Sequence, residues 1–419
     1  MPHQRDNTSS RPRRPTYKQP KPQESLSEAR GRSMSRPVRN SKPKQKQKVM
    51  DADYNLLIKK AKPQAIKDFT PTKTFIEHGL HERIIDNLAK KGYTQPTPIQ
   101  DQAIPHLMDG NQDILGIANT GTGKTAAFLL PLVHQVYENK KKCILVLAPT
   151  RELAIQIQNE LKTFTNHGPI SSTIVIGGEN IDKQINALRK RLNFIIATTG
   201  RGLDLIERGE LRIKDVDTIV LDEMDQMLDM GFVRDIRKIL SMATSNKHLL
   251  FFSATMSTDI EKIALEILSK PVTVSVVQGT TTDNVEQDVI EVRPDENKFD
   301  KLCDLLKRKE VDKVILFENT KHGASRLEKD LQKRGFKAVA IHGNKNQNQR
   351  RRALDAFKAG SIDILIATNV AARGLDIPLV SHVINYGLPQ SKEDYIHRIG
   401  RTGRAGETGH AYTFVNVDK

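Results

Sequence analysis

The octapeptide Ala118-Asn119-Thr120-Gly121-Thr122-Gly123-Lys124-Thr125 decides the reading of this chain. It follows the apolar run 113–117 and precedes a helix-length amphipathic stretch, the strand-loop-helix context that a phosphate-binding loop requires. Its glycines let backbone N–H groups approach phosphate oxygens. The Lys124 ammonium supplies a point charge toward β- and γ-phosphates, and the Thr125 hydroxyl is a ligand for Mg²⁺. Ala118 stands where the general pattern has its first glycine. A chance Gly-Lys-Thr is the competing reading, and the placement between strand and helix disfavours it.

Mg²⁺ on a triphosphate keeps several waters and wants a carboxylate at a nearby strand end. Asp222 and Glu223 supply it, directly after the apolar run 218–221. Asp222 is suited to hold the metal's water shell, and Glu223 to orient and deprotonate an attacking water. Taken alone, Asp-Glu before a helix is better read as a cap. Together with Lys124 it points to nucleotide chemistry.

Working outward, short β-branched runs alternate with amphipathic segments, the pattern of a mostly parallel sheet wrapped by helices. The predicted strands of a first set are 113–117, 144–148, 173–176, 194–197, 218–221, 249–252 and 272–276. The polar stretch QGTTTDN, 278–284, interrupts them, and a second set follows at 287–292, 314–318, 338–341, 363–367, 382–386 and 411–415. The expected organisation is a basic tail over 1–50, a linker or short helix over 51–72, an α/β domain over 73–277, a linker over 278–286 and a second α/β domain over 287–419. Two such units can close on a ligand held between them.

The chain carries a formal charge of +16, and residues 1–50 supply +11 of it, with 14 Lys/Arg against 3 Asp/Glu. Seven prolines and a single aromatic, Tyr17, leave that tail too little apolar surface to offset its ordering entropy, so a disordered arm is expected. Its charge density favours nonspecific RNA binding over a merely solubilising role. No run approaches the ~18 apolar residues of a membrane span, and no apolar stretch of a secretory signal follows Met1. Cys143 and Cys303 lie far apart without metal-ligand spacing, which suits core packing in a reducing cytoplasm.

With these elements in place, the span from about residue 75 to 415 resembles the DEAD-box RNA helicases of superfamily 2, whose fold is two tandem RecA-like domains. GYTQPTPIQ, 92–100, with Phe75 upstream, is similar to the family's adenine-reading motif. The resemblance implies that Phe75 stacks on the base, that Gln100 reads its edge and that Gln95 belongs to the same site. PTRELA (149–154, with Pro149, Thr150 and Arg151), Gly177-Gly178 and TTGR (198–201, with Gly200 and Arg201) match the RNA-backbone contacts. DEMD, 222–225, stands where the family has its acidic motif, and SAT, 253–255, where hydrolysis is coupled to strand separation. The coupling residues so implied are Asp225, Ser253, Thr255 and His397, with His397 bonded to Asp225.

HRIGRTGRAG, 397–406, resembles the last signature motif, in which Arg401 and Arg404 act as arginine fingers; a forked, permanent cation suits that task. ARGLD, 372–376, implies a ribose contact by Asp376, in one interdomain strip with Thr368 and Arg373. His342-Gly343, Gln347 and Arg350 resemble the second domain's RNA-binding and ATP-linked elements. The implied ligands are ATP, Mg²⁺ and RNA held by its backbone and 2′-OH groups, which leaves little sequence specificity to the core.

Five positions depart from the family pattern: Thr199 for Pro, Gly202 for Leu, Met224 for Ala, Asn369 for Asp and Gly387 for Asp. None removes a phosphate or metal ligand, but Thr199 is expected to loosen its loop, and Asn369 and Gly387 each delete a carboxylate near the cleft. Two rival readings remain open, a nonenzymatic ATP-gated RNA clamp and a DNA translocase of the same superfamily.

Overall fold

The computed structural model of the chain describes residues 59–61, 69–110, 112–166, 168–276, 284–372, 380–403 and 408–417. The expectations for the tail over 1–50, and for Arg373, Asp376 and Arg404, lie outside the described residues, as does most of the segment 278–286.

Ahead of the first sheet come α1 (Glu82–Lys90) and α2 (Pro98–Asp109). There follow β1 (Ile114–Ile117), α3 (Lys124–Glu138), β2 (Ile144–Ala148), α4 (Arg151–Thr165), β3 (Ser172–Val175), α5 (Ile181–Leu188), β4 (Phe194–Thr198) and α6 (Thr199–Glu207). Then come β5 (Thr218–Leu221), α7 (Met224–Asp229), α8 (Val233–Met242), β6 (His248–Ser253), α9 (Thr258–Ile267) and β7 (Val272–Ser275). All seven strands are parallel, in the order β3-β4-β2-β5-β6-β1-β7.

The second sheet is built from β8 (Val285–Val292), α10 (Lys298–Leu306), β9 (Val314–Phe317), α11 (Lys321–Lys333), β10 (Ala338–Ile341), α12 (Gln347–Lys358) and β11 (Ile364–Ala367). It is completed by α13 (Asn369–Ala372), β12 (His382–Asn385), α14 (Lys392–Ile399) and β13 (Gly409–Asn416). Its parallel order is β10-β11-β9-β12-β13-β8. Each strand expected from the sequence is present, within a few residues at its ends. β8 and β13 each start two residues early, the largest shifts, and β8 begins at Val285, inside the segment expected as a linker. A polar stretch gives no periodic signal, yet the backbone of Val285 and Glu286 pairs with Gly409 and His410 of β13.

Strands buried on both faces read as continuous apolar runs, which is what ILVLA and ILIA do. In β2, Ile144, Val146 and Ala148 enter one core while Leu145 and Leu147 enter the core on the opposite face. In β11, Ile364 and Ile366 go one way and Leu365 and Ala367 the other. The consequence for function is positional. Loops leaving the carboxyl ends of β1, β2, β5 and β6 share one rim of the first sheet, the edge where open parallel sheets hold ligands.

Candidate active site

A cavity of about 360 Å³ opens on that rim. The phosphate loop forms its floor, from Thr120 to Ala126, with Asp222 and Glu223 beside it. Phe75, Tyr93, Gln95, Thr97 and Gln100 form one end, and Arg401 from the second half reaches the other residues across the cleft. Sequence reasoning therefore named most of the lining. Among those it missed are Tyr93, Gln156, Glu160 and Phe164. Tyr93 stood inside a quoted motif, whereas α4 residues such as Glu160 carry no local signal of their destination.

The loop's shape follows from its residues. Thr122 Oγ1 donates to Asn119 O at 2.7 Å and closes the turn. Gly123 sits at φ 94°, where an L side chain is strained, and a Cβ there would strike the Gln100 amide that donates to Gly123 O at 3.2 Å. Helix α3 starts at Lys124, so its first N–H groups and its dipole face the cavity. Lys124 Nζ donates to Ala118 O and to Asn119 O, the latter at 3.1 Å, and the residue is buried, 7% exposed. Ala118, in place of glycine, is fully buried and its N–H donates to Ser253 O, tying the loop to β6.

Burial raises the Asp222 carboxyl to about 7 against the opposing pull of Lys124. Burial and then the neighbouring Asp222 raise Glu223 to about 7, against the pull of Arg401. Glu223 Oε2 has no hydrogen-bond partner, and its backbone sits at φ 56°, ψ 53°. An aimed, unsatisfied carboxylate of raised pKa is suited to take a proton. Thr125 and Asp222 are the oxygen donors here suited to Mg²⁺. Among the described residues no group of three or more His, Cys, Asp or Glu gathers to hold a metal unaided.

The coupling residues need one correction. Asp225 Oδ2 accepts from Ala254 N (3.1 Å), Thr255 N (3.2 Å) and Thr255 Oγ1 (3.3 Å), which ties the acidic motif to SAT. Those donors leave Asp225 engaged within the first half, and His397 Nδ1 instead lies 3.6 Å from Asp229 Oδ2, one turn further along α7. Ser253 is fully buried.

Gln347 and Arg350, expected among the second domain's RNA-binding and ATP-linked elements, bond to the first half. Arg350 Nη2 pairs with Glu152 Oε2 at 2.9 Å, and Gln347 Nε2 donates to Glu152 Oε1 at 3.3 Å. These bonds link α12 to α4 across the cleft, with the paired side chains only 11% and 7% exposed. His342 is also turned inward. Asn344 N donates to its Nδ1, so Nε2 carries the proton toward Ser325 Oγ at 2.8 Å, and only 3% of the residue is exposed. Gly343 beside it is exposed, as are Gly178 and Gly200.

Thr150 caps α4 by accepting from Leu153 N, which aims the first turn after the buried Pro149. Arg151 lies against Gly177 and Gly178; a Cβ on Gly178, at φ 78°, would collide with the guanidinium. Arg201 Nη1 donates to Gln184 Oε1 at 3.1 Å, and Gln184 Nε2 to Ile176 O, so both arginines border one glycine turn. Thr368 is half-buried at the end of β11.

Four of the five departures have a local setting that accommodates them. Thr199 is fully buried at the start of α6, and its hydroxyl meets Met227 Sδ at 3.8 Å, so the turn is held by packing where proline was expected. Met224 is fully buried in the core beneath α7. Asn369 Nδ2 donates to Asp394 Oδ2 at 2.8 Å, where an aspartate would set two carboxylates together. Gly387 O accepts from Arg398 Nη1 at 2.6 Å, and Asn319 and Asn385 accept from the same guanidinium.

Known proteins resemble this chain in sequence and fold. The family model for DEAD/DEAH box helicases matches residues 97–263, and that for the helicase conserved C-terminal domain matches 297–406. The DEAD-box ATP-dependent RNA helicase CshA of Geobacillus kaustophilus is 45% identical over 344 residues, covering 82% of this chain and 73% of that protein. The CshA of Bacillus cereus is also 45% identical, and this chain spans 65% of its length. The structure of S. cerevisiae Dbp5 bound to RNA and ADP BeF3 superposes with a TM-score of 0.73 at 32% identity, over 83% of this chain and 90% of that one. The chain belongs to the DEAD-box ATP-dependent RNA helicase family.

Proposed function

We propose that this chain is an RNA-stimulated ATPase that separates short duplexes locally and remodels RNA-protein complexes. The observation that carries the reading is the meeting of Lys124, Asp222, Glu223 and Arg401, from both halves, around one cavity. The adenine would lie against Phe75, with Gln100 and Gln95 at its edge, and the triphosphate along residues 118–125. Mg²⁺, when bound to Thr125 and Asp222 with its water shell, offsets phosphate charge. Glu223 orients and takes the proton of the attacking water, while Arg401 stabilises charge developing on the transferred phosphoryl group. Arg404 and Asp376 are assigned the second finger and the ribose contact from motif position alone.

RNA would lie along the rim carrying Pro149, Thr150, Arg151, Gly178, Gly200 and Arg201 in the first half and Gly343 and Thr368 in the second. The basic tail would add nonspecific affinity. If it neutralises about five phosphates of a single strand, deleting 1–50 lowers the log-log salt slope by ~3.5. An unchanged slope leaves the tail a solubilising role. Both cysteines are free thiols and no helix among the described residues is long and apolar enough to cross a membrane, which supports a cytoplasmic placement.

The deciding experiment is multiple-turnover phosphate release with Mg²⁺, comparing RNA and DNA of equal length, alongside release of a short RNA duplex. RNA-specific stimulation with strand release is expected. Binding without turnover would leave a clamp, and equal stimulation by DNA would favour a translocase.

A further inference from the structure

Asp101 is one residue past Gln100 in the first turn of α2, and its side chain is 3% exposed although it is a carboxylate. Its oxygens are saturated by a single neighbouring segment. Thr72 N donates to Oδ2 at 2.8 Å, Thr72 Oγ1 to both oxygens at 3.0 and 2.9 Å, and Lys73 N to Oδ1 at 3.3 Å. His78 Nε2 meets Oδ1 at 3.0 Å with its side chain 1% exposed, so that nitrogen carries the proton. Burial alone would raise this carboxyl, yet the donors outweigh it and hold Asp101 below its ordinary value.

The gripped residues bracket Phe75, two and three positions before it and three after it. Between them the turn closes on itself: Glu77 Oε2 accepts from Thr74 N at 2.7 Å, and Thr74 Oγ1 accepts from Glu77 N at 3.2 Å. Meanwhile Gln100 accepts from Thr97 N and donates to Gly123 O of the phosphate loop. Further along, Gln135 of α3 donates to Leu107 O at 2.6 Å, fixing α2 to the helix that the loop begins. Consecutive residues of one helical turn thus hold the two ends of the cavity, the aromatic wall through Asp101 and the phosphate floor through Gln100.

We propose that Asp101 is a positioning residue of the nucleotide site, which sets the distance and tilt of Phe75 over the base relative to the phosphate loop. This rests on the reading of Phe75 as the base-stacking residue. Asp101 does not line the cavity and bonds to Thr72, Lys73 and His78, so it acts through the position of residues 72–78. Binding that depends on the base requires it, and binding through phosphates alone does not.

The test uses the full chain and two probes, ATP with Mg²⁺ and inorganic tripolyphosphate, which has phosphates and no base. Losing charge-assisted bonds in Asp101→Asn is expected to weaken ATP by about tenfold and raise its KM alike, with saturated turnover within about twofold. Tripolyphosphate affinity is expected to stay within about twofold of the parent, because phosphate-loop contacts are unchanged. The double variant Phe75→Ala/Asp101→Asn is expected to bind ATP no more weakly than Phe75→Ala. Thr72→Val, which removes one donor and spares the core, is expected to move ATP in the same direction by about threefold, and it decides the matter if Asp101→Asn fails to fold. Equal losses for both probes, additivity in the double variant, or unchanged ATP affinity while Phe75→Ala loses it would overturn the proposal. Unchanged ATP affinity in Phe75→Ala would instead overturn the stacking reading beneath it.

Discussion

The half built on β1–β7 and the half built on β8–β13 bring opposite buried charge to their cleft. The first presents Glu152, Asp222, Glu223 and Asp225, each 9% exposed or less, with Lys124 as the buried cation among them. The second presents Arg398 and Arg401, 2% and 7% exposed, and the Arg350 side chain at 11%. A buried charge without its counterpart is costly, and the four acids of the first half outnumber its one buried cation there. Glu223 against Arg401 and Glu152 against Arg350 show where the imbalance is met. The difference teaches that the active arrangement belongs to the pair of halves.

The largest break in that complementarity is Arg401→Ala. Turnover should fall by on the order of 10³, the scale of an arginine finger, with ATP binding by the first half retained. A loss of only about twofold in steady-state phosphate release would remove Arg401 from the chemistry.

Glu223→Gln keeps the phosphate and metal donors and removes the base. Turnover is expected to drop by ~10² or more while ATP and RNA bind together, since proton transfer and not affinity is lost. Single-turnover hydrolysis against equilibrium binding separates the two.

The Glu152–Arg350 link offers a sharper cycle. Arg350→Met leaves Glu152 in a dry cleft, a defect of about 3 kcal/mol, so closure driven by ATP and RNA should weaken by about a hundredfold. Energy transfer between dyes on the two halves reads this directly. Replacing both charges, in Glu152→Leu/Arg350→Met, should recover most of the closure, because paired removal leaves no orphan. A double variant as poor as the single one would assign Glu152 another task.

Met224→Ala should be the smallest effect. The thioether is fully buried in the core and is a poor ligand for Mg²⁺, so turnover should stay within about fivefold. Thermal unfolding should register the truncation, about 2 to 5 kcal/mol for a buried methionine. Altered chemistry at unchanged stability would contradict this assignment of DEMD.

Legibility followed chemistry and distance along the chain. The strands were readable because ILVLA and ILIA are apolar on both faces, and the phosphate loop because Gly, Lys and Thr must stand at fixed spacing for phosphate to fit. Glu152 was inside a quoted motif, yet its partner lies 198 positions later and no periodicity connects them. His397 was assigned to Asp225, and the structure sets it beside Asp229, because one turn of α7 exchanges which carboxylate faces the cleft. Asp101 follows the expected Gln100 without any signal of its own. Its role depends on where residues 72–78 fold back, which only packing determines.

The backbone at Glu223 carries a further consequence. Left-handed conformation costs a side-chain-bearing residue roughly 1 to 2 kcal/mol, and among the described residues only Asn166, Glu223 and Lys270 adopt it without being glycine. Evolution toward greater heat resistance would therefore favour glycine at this position, relieving the strain and a buried carboxylate together. Such a chain would melt later and hydrolyse ATP at least ~10² more slowly. A screen for thermal stability alone should drift toward losing the base, so the tension between endurance and turnover in this protein is concentrated at a single residue.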